Sequence, residues 1–252
     1  MTYLTNSADC PSCGDQHKGK PYCTYENGVH CFSCGYTKSY DRTFSISESK
    51  IPAILAEPNA KSNPAEFSLE NLAWLNKYYI SNDDIRKHHI LEAENGALIF
   101  CTIQDNKIVH YQTRLNKPTR IILSHGTKIP AKSSIESDIV VLVEDFISYI
   151  RLSEICDVIC LWGTKTSYEV LNSLLNYANI LVWLDNDYSK QTNSGQENAK
   201  IICKNLSNIL QFKLKKFGFG DIQLPKVTNI VTSSDPKCYS PSELRQILGS
   251  YL

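Results

Sequence analysis

Two short apolar runs, each ending directly on carboxylates, constrain this chain most. Residues 180–184 read Ile-Leu-Val-Trp-Leu and run straight into Asp185, Asn186 and Asp187. Residues 139–143 read Ile-Val-Val-Leu-Val and run straight into Glu144 and Asp145. A run with no polar position has no face for water, so each is expected to be a strand buried on both sides, as in a parallel sheet. In such sheets ligands bind at the carboxyl ends of the strands. If the two strands are near neighbours, Glu144, Asp185 and Asp187 converge. Carboxylates that close do not all stay ionised without a cation, and hard oxygen donors suit Mg²⁺ or Mn²⁺.

The surrounding pattern supports a parallel α/β domain over residues 137–252. Helical spacing of Ile147, Ile150 and Ile155 follows the first acidic strand. A strand over 158–161 comes next and ends on the turn residues Gly163 and Thr164. A helix over 167–177, the D-x-D strand, a long amphipathic helix through Ile201, Ile202, Leu206 and Ile209, and a last strand near 229–231 complete the alternation. An amphipathic helix over 242–248 closes the chain. Before this domain, residues 67–136 read as a smaller α+β segment. It has a helix through Leu69, Leu72 and Leu75, and a second helix capped by Ser81. A hairpin turning at Asp105-Asn106 and a strand over 119–123 follow.

The first 41 residues differ in kind. Cys10 and Cys13 form one C-x-x-C pair and Cys31 and Cys34 another, 17 residues apart. Two such pairs at this spacing read as a four-cysteine zinc ribbon, with Cys23, His17 and His30 as spare ligands. A module this small buries too little apolar surface to fold alone, so zinc is expected to supply its fold. Residues 42–66, punctuated by Pro52, Pro58 and Pro64, read as a linker. The other cysteines, Cys101, Cys156, Cys160, Cys203 and Cys238, are scattered, several in apolar segments.

Net charge is zero, but the charges are segregated. Residues 103–132 carry six Lys/Arg against one acid, residues 199–226 six Lys against one acid, and residues 136–187 nine acids against two bases. An acidic, cation-requiring centre between two basic segments suits a polynucleotide-handling protein. No apolar run approaches the ~20 residues that span a bilayer, and the first residues lack the basic and apolar regions of a secretory signal. A cytoplasmic protein without membrane association is therefore expected.

In this order, the zinc ribbon, linker, basic α+β segment and acidic α/β domain resemble the DNA primases of bacteria and phages, whose catalytic domain is a Toprim fold. Four places carry the resemblance: Glu144 after the first strand, Gly163-Thr164 after the second, Asp185-Asn186-Asp187 with Gly195 downstream, and the late Asp235-Pro236. The Tyr111-Gln112-Thr113-Arg114 stretch resembles the basic sheet segment that precedes Toprim. Two positions depart from the family pattern: Asp145 stands where glycine is usual, and Ser148 where aspartate is usual.

The resemblance implies synthesis of short RNA primers on single-stranded DNA from ribonucleoside triphosphates. It implies Mg²⁺ or Mn²⁺ held by Asp185, Asp187 and Asp235, with Glu144 either a ligand or the acceptor of the hydroxyl proton. It implies zinc on Cys10, Cys13, Cys31 and Cys34, and template and nucleotide contacts from Arg114, Lys117, Arg120 and Lys128. No Walker loop is present, so a separate replicative helicase is expected. A Toprim nuclease, or a non-catalytic DNA-binding or recombination-mediator protein, would use the same scaffold differently.

Overall fold

The computed structural model describes residues 3–7, 10–11, 22–25, 28–31, 37–39, 53–116, 121–166, 170, 173–174, 176–187, 193–217 and 225–251. The chain divides into two units, residues 1–51 and 52–252. In the first, β1 (Tyr3–Ser7), β2 (Tyr22–Tyr25), β3 (Gly28–Cys31) and β4 (Thr37–Ser39) form an antiparallel sheet in chain order. Cys10, Val29 and Cys31 are buried in this unit. Cys13 and Cys34 lie outside the described residues.

The second unit holds two sheets. The first is antiparallel, ordered β5 (Ala60–Lys61), β6 (Leu91–Ala93), β7 (Leu98–Gln104), β8 (Lys107–Leu115) and β9 (Ile121–Gly126). The β7–β8 turn is made by Asp105 and Asn106, both with positive φ (49° and 58°), the paired left-handed geometry of a tight hairpin. Helix α1 (Leu69–Lys77) is capped by Ser68, and α2 (Asn82–Lys87) by a Ser81/Asp84 capping box. Leu69, expected on the buried face of α1, is 85% exposed because it is the first helical residue and precedes the turn that packs inward; Leu75 is fully buried.

The second sheet runs β10 (Ala131–Ser133), β12 (Asp157–Cys160), β11 (Ile139–Val143), β13 (Asn179–Trp183), β14 (Lys226–Asn229). All neighbours pair parallel except β10, an antiparallel edge strand on β12. Helices α3 (Phe146–Leu152), α4 (Ser194–Phe217) and α5 (Pro241–Gly249) belong to the same half. The helix expected over 167–177 falls largely outside the described residues; Val170 and Ser173 are helical. The last strand begins earlier than expected, because its ladder starts level with Asn179 and Lys226.

Alternation along the strands divides the core in two. Val141, Val143, Val158, Cys160, Leu181 and Trp183 face α3 and α5 and share one cluster with Leu75, Ile85, Leu98 and Phe100 of the preceding segment. Val140, Leu142, Ile159, Ile180 and Val182 face the other way, onto Val170, Leu174, Ile202 and Leu206. The first cluster is therefore what fixes the antiparallel sheet against the parallel one. Among the described residues, no helix is long and apolar enough to cross a membrane.

One buried charge ties the start of α1 to β6. The Glu92 carboxylate, 2% exposed, accepts from Ser68 N and Oγ (both 3.0 Å) and Asn71 Nδ2 (2.7 Å). Burial pushes its carboxyl up, but the hydrogen bonds from Asn71 and Ser68 and the Lys61 ammonium outweigh that and hold it below the ordinary carboxylate value. Glu92→Ala is expected to cost about 3 kcal/mol of stability in urea unfolding, since it removes charged hydrogen bonds and strands their buried donors. In the wild type this contribution is fully present above about pH 4.5, the ordinary value, and is lost as pH falls through the lower folded value. A Glu92→Ala protein that loses stability on acidification as steeply as the wild type would remove Glu92 from this role.

Candidate functional site at the carboxyl ends of β11 and β13

Strands β11 and β13 pair in parallel with Val143 opposite Trp183. The chain leaves both strands at the same level, which brings Glu144 and Asp145 beside Asp185. Asp145 caps α3, its Oδ1 accepting from Ser148 N at 2.9 Å, so one oxygen is spent on the helix and Oδ2 is left for the site. Asp235 arrives from beyond β14. Its Oδ1 accepts from Asn186 N at 2.9 Å, which fastens the D-x-D loop to the segment after the last strand. Asn186 reaches the same segment, donating from Nδ2 to Thr232 O. Asn193 Oδ1 accepts from Asp187 N, and Asn193 Nδ2 donates to Asn186 Oδ1. The middle residue of D-x-D is therefore structural, and it leaves the two flanking aspartates to the site.

Gly195 makes this closure sterically possible. A Cβ placed there would lie 2.0 Å from the carbonyl oxygen of Asp185. The first turn of α4 thus packs directly on the backbone of the D-x-D loop, and no side chain fits between them.

At the centre of the carboxylates stands Lys237. Its Nζ lies 2.5 Å from Asp145 Oδ2, 2.8 Å from Asp185 Oδ2 and 2.9 Å from Asp235 Oδ2. Burial disfavours the ammonium, but the three carboxylates override that and raise its pKa. Burial pushes the Asp145 carboxyl up too, and Lys237 more than compensates, so Asp145 is held below its usual value. Asp185 is pushed up to about 8, chiefly by burial and then by the neighbouring Asp145. Burial, followed by Asp145, also raises Glu144 above the ordinary carboxylate value. The site therefore carries more negative potential than one ammonium neutralises.

The second oxygen of Asp185, Oδ1, is buried with no hydrogen-bond partner. Among the described residues no three His, Cys, Asp or Glu side chains form a ready-made metal site, but the orphaned Asp185 oxygen is a hard donor of the kind a divalent cation takes. Of the residues expected to bind metal, Asp185 and Asp235 are joined directly through Lys237. Glu144 and Asp187 belong to the same electrostatic cluster. Lys237 was not anticipated as a member, and Asp145, noted as an added carboxylate beside Glu144, was given no role. The available clue was the Asp-Pro-Lys sequence: a proline-started single turn over Pro236–Cys238 sets Lys237 beside its own Asp235.

Of the residues expected to contact nucleic acid, Arg114 and Lys128 are among the described residues. Arg114, on β8, stacks its guanidinium 4.4 Å from the centre of the Trp74 ring and donates from Nε to Asn116 Oδ1. It lines a small cleft with Gln112, Phe100, Trp162 and Asp145, so a basic side chain and the carboxylate site share one wall. Lys128 donates to the carbonyl of Trp162 at 2.9 Å. Trp162 and Gly163 both have positive φ (55° and 142°), and Gly163 N donates to Glu144 O, so Lys128 sits on the turn that backs Glu144. Lys117 and Arg120 lie outside the described residues.

No family model matches this chain, and no curated protein matches it. Among solved structures, the primase fragment of the bacteriophage T7 primase-helicase protein superposes over 100% of both chains with a TM-score of 0.50 at 14% identity. The zinc-binding and RNA polymerase domains of the Aquifex aeolicus primase superpose over 99% of this chain and 80% of that one, with a TM-score of 0.47 at 12% identity. The fold is of the primase type.

The close approach at Gly195 gives a direct test of the site's construction. Gly195→Ala is expected to cost at least about 2 kcal/mol, as overpacking against backbone that cannot yield. Gly249→Ala, where an added Cβ meets nothing within 4 Å, is expected to stay within about 0.5 kcal/mol of the wild type. Equal thermal midpoints for the two variants would show that the D-x-D loop does not rest on α4 as described.

Proposed function

We propose that the chain is a DNA primase, making short RNA primers on single-stranded DNA by metal-dependent nucleotidyl transfer in phage replication. The observation that carries this reading is the carboxylate cluster at the ends of β11 and β13, with the orphaned Asp185 Oδ1, on a fold superposable on a phage primase fragment. In this reading residues 1–41 are a zinc ribbon, 42–66 a linker, 67–136 the basic part of the catalytic core and 137–252 a Toprim domain. The protein acts in the cytoplasm of the host.

Glu144, Asp185, Asp187 and Asp235 are the residues that would hold Mg²⁺ or Mn²⁺. When bound, such ions activate the attacking 3′-hydroxyl and neutralise the pyrophosphate that leaves. The protein's own contributions are positioning and charge. Glu144 has a raised affinity for protons, which suits it to accept the proton of the attacking hydroxyl. Asn186 and Gly195 hold the two flanking aspartates at a fixed level. Arg114, Lys117, Arg120 and Lys128 hold template and triphosphate by charge-assisted bonds. Arg114 is stiffened for this by Trp74, which limits the freedom it loses on binding.

Cys10, Cys13, Cys31 and Cys34 would hold zinc in the first unit. The burial of Cys10 and Cys31 supports the assignment. The zinc ribbon would select the start site on the template, and a separate helicase would deliver it.

Purified protein given Mn²⁺ or Mg²⁺, labelled ribonucleotides and mixed single-stranded templates is expected to yield a ladder of short oligoribonucleotides. The double substitution Asp185→Asn with Asp187→Asn is expected to lower synthesis at least 100-fold with the fold intact by circular dichroism. Degraded template in place of a ladder would turn the reading to a nuclease, and persistent synthesis by the double variant would move the catalytic centre elsewhere. Cys31→Ser is expected to release zinc, measured by atomic absorption, and to abolish template-selective initiation. Unchanged zinc content in that variant would remove Cys31 from the ligand set.

A further inference from the structure

The carboxylate cluster already contains a cation, supplied by the chain itself. The three carboxylates around Lys237 offer six oxygens. Two accept from backbone N–H groups, Asp145 Oδ1 from Ser148 and Asp235 Oδ1 from Asn186. Three lie on Lys237 Nζ. One, Asp185 Oδ1, is left over. Lys237 donates hydrogen bonds to Asp145 and Asp185 and pairs with Asp235 by charge.

The backbone under Lys237 is held fast. Pro236 is buried, and Cys238 N and Tyr239 N donate back to Asp235 O and Pro236 O. Arg151 grips the carbonyl of Tyr239, and the Tyr239 hydroxyl accepts from Ser234 N. The side chain above is a flexible four-carbon stem with 14% of its surface exposed. It has a fixed root, a long stem and a way out to solvent.

A divalent ion of the Mg²⁺ class takes about six oxygens. With Lys237 in place, the three aspartates supply one uncommitted oxygen among them. Adding a divalent ion beside an ammonium also sets two cations against each other. We infer that Lys237 is a resident counter-cation that competes with divalent metal for Asp185 and Asp235, so that metal enters by expelling the lysine head from between the carboxylates. The inference rests on the metal-dependent reading proposed above. It explains how a cluster of this charge folds before metal arrives. It also makes Lys237 a threshold: metal must outcompete a tethered ammonium, so the site fills only when the ion is abundant or when it arrives together with a triphosphate that adds oxygens of its own. Asp145 belongs to the same device, since it holds the lysine without having been assigned to the metal.

Mn²⁺ binding to the full chain, followed by electron paramagnetic resonance and by calorimetry, tests this without reference to synthesis. Lys237→Met keeps the stem and removes the charge. It is expected to bind Mn²⁺ at least tenfold more tightly than the wild type, and to gain more in thermal midpoint on Mn²⁺ addition. Equal or weaker affinity in a folded Lys237→Met protein overturns the role of the lysine while leaving the metal site standing. Absence of Mn²⁺ binding in both proteins overturns the metal reading itself, and the inference with it.

The variant leaves three half-buried carboxylates without their partner, so a second measurement uses the wild type alone. A crystal of the wild type soaked in MnCl₂ is expected to show the Lys237 head turned out and anomalous density between Asp185 and Asp235. Density there with Lys237 unmoved overturns the inference.

Discussion

The parallel pairing of β11 with β13 is the constraint on which the site depends. Val143 lies opposite Trp183, so the two acidic sequences leave the sheet at one level. A slip of one residue would turn Leu142 and Val182 toward the wrong core and carry the carboxylates apart. The slip is prevented because each face of each strand has its own cluster to satisfy, one against α3 and α5 and the other against α4. The hydrophobic effect thus sets the register, and the register sets the positions of the charges.

Gathering those charges has an electrostatic cost, and the sequence meets it locally. Asp145 and Asp235 each give one oxygen to a backbone N–H, a charge-assisted bond that fixes the carboxylate and lowers its charge density. Lys237 takes the remaining oxygen of each, together with one from Asp185. Asp185 makes its side-chain hydrogen bond to Lys237, yet burial, and then the neighbouring Asp145, still push its pKa up to about 8. The protons, the ammonium and the backbone dipoles are three partial answers to one requirement for positive charge, and a divalent ion would be a fourth.

Much of this was legible in the sequence because it rests on local rules. The unbroken apolar runs announced buried parallel strands, Ser81 announced a helix start, and Asp105-Asn106 announced a hairpin. Each depends on a few adjacent residues. The antiparallel edge strand at Ala131–Ser133 was not legible, since three residues carry no period and their strand character comes from pairing with β12. The exposure of Leu69 was missed because helical spacing does not say which turn reaches the core.

Lys237 was missed for a different reason. Composition and spacing treat a lysine near acids as a solvated face, which is the ordinary case. What makes this one different is that two of its three partners, Asp145 and Asp185, come from distant segments that meet it only after the parallel sheet is assembled. The departures from the primase pattern at residue 145 becomes intelligible on the same ground. A glycine there would leave α3 without its aspartate cap and Lys237 with one carboxylate fewer, and the ammonium would then be a weaker rival to any cation entering beside Asp185. The aspartate at 145 and the lysine at 237 are therefore best understood as one feature, an ion pair set beside Asp185 and Asp235, which share the same ammonium.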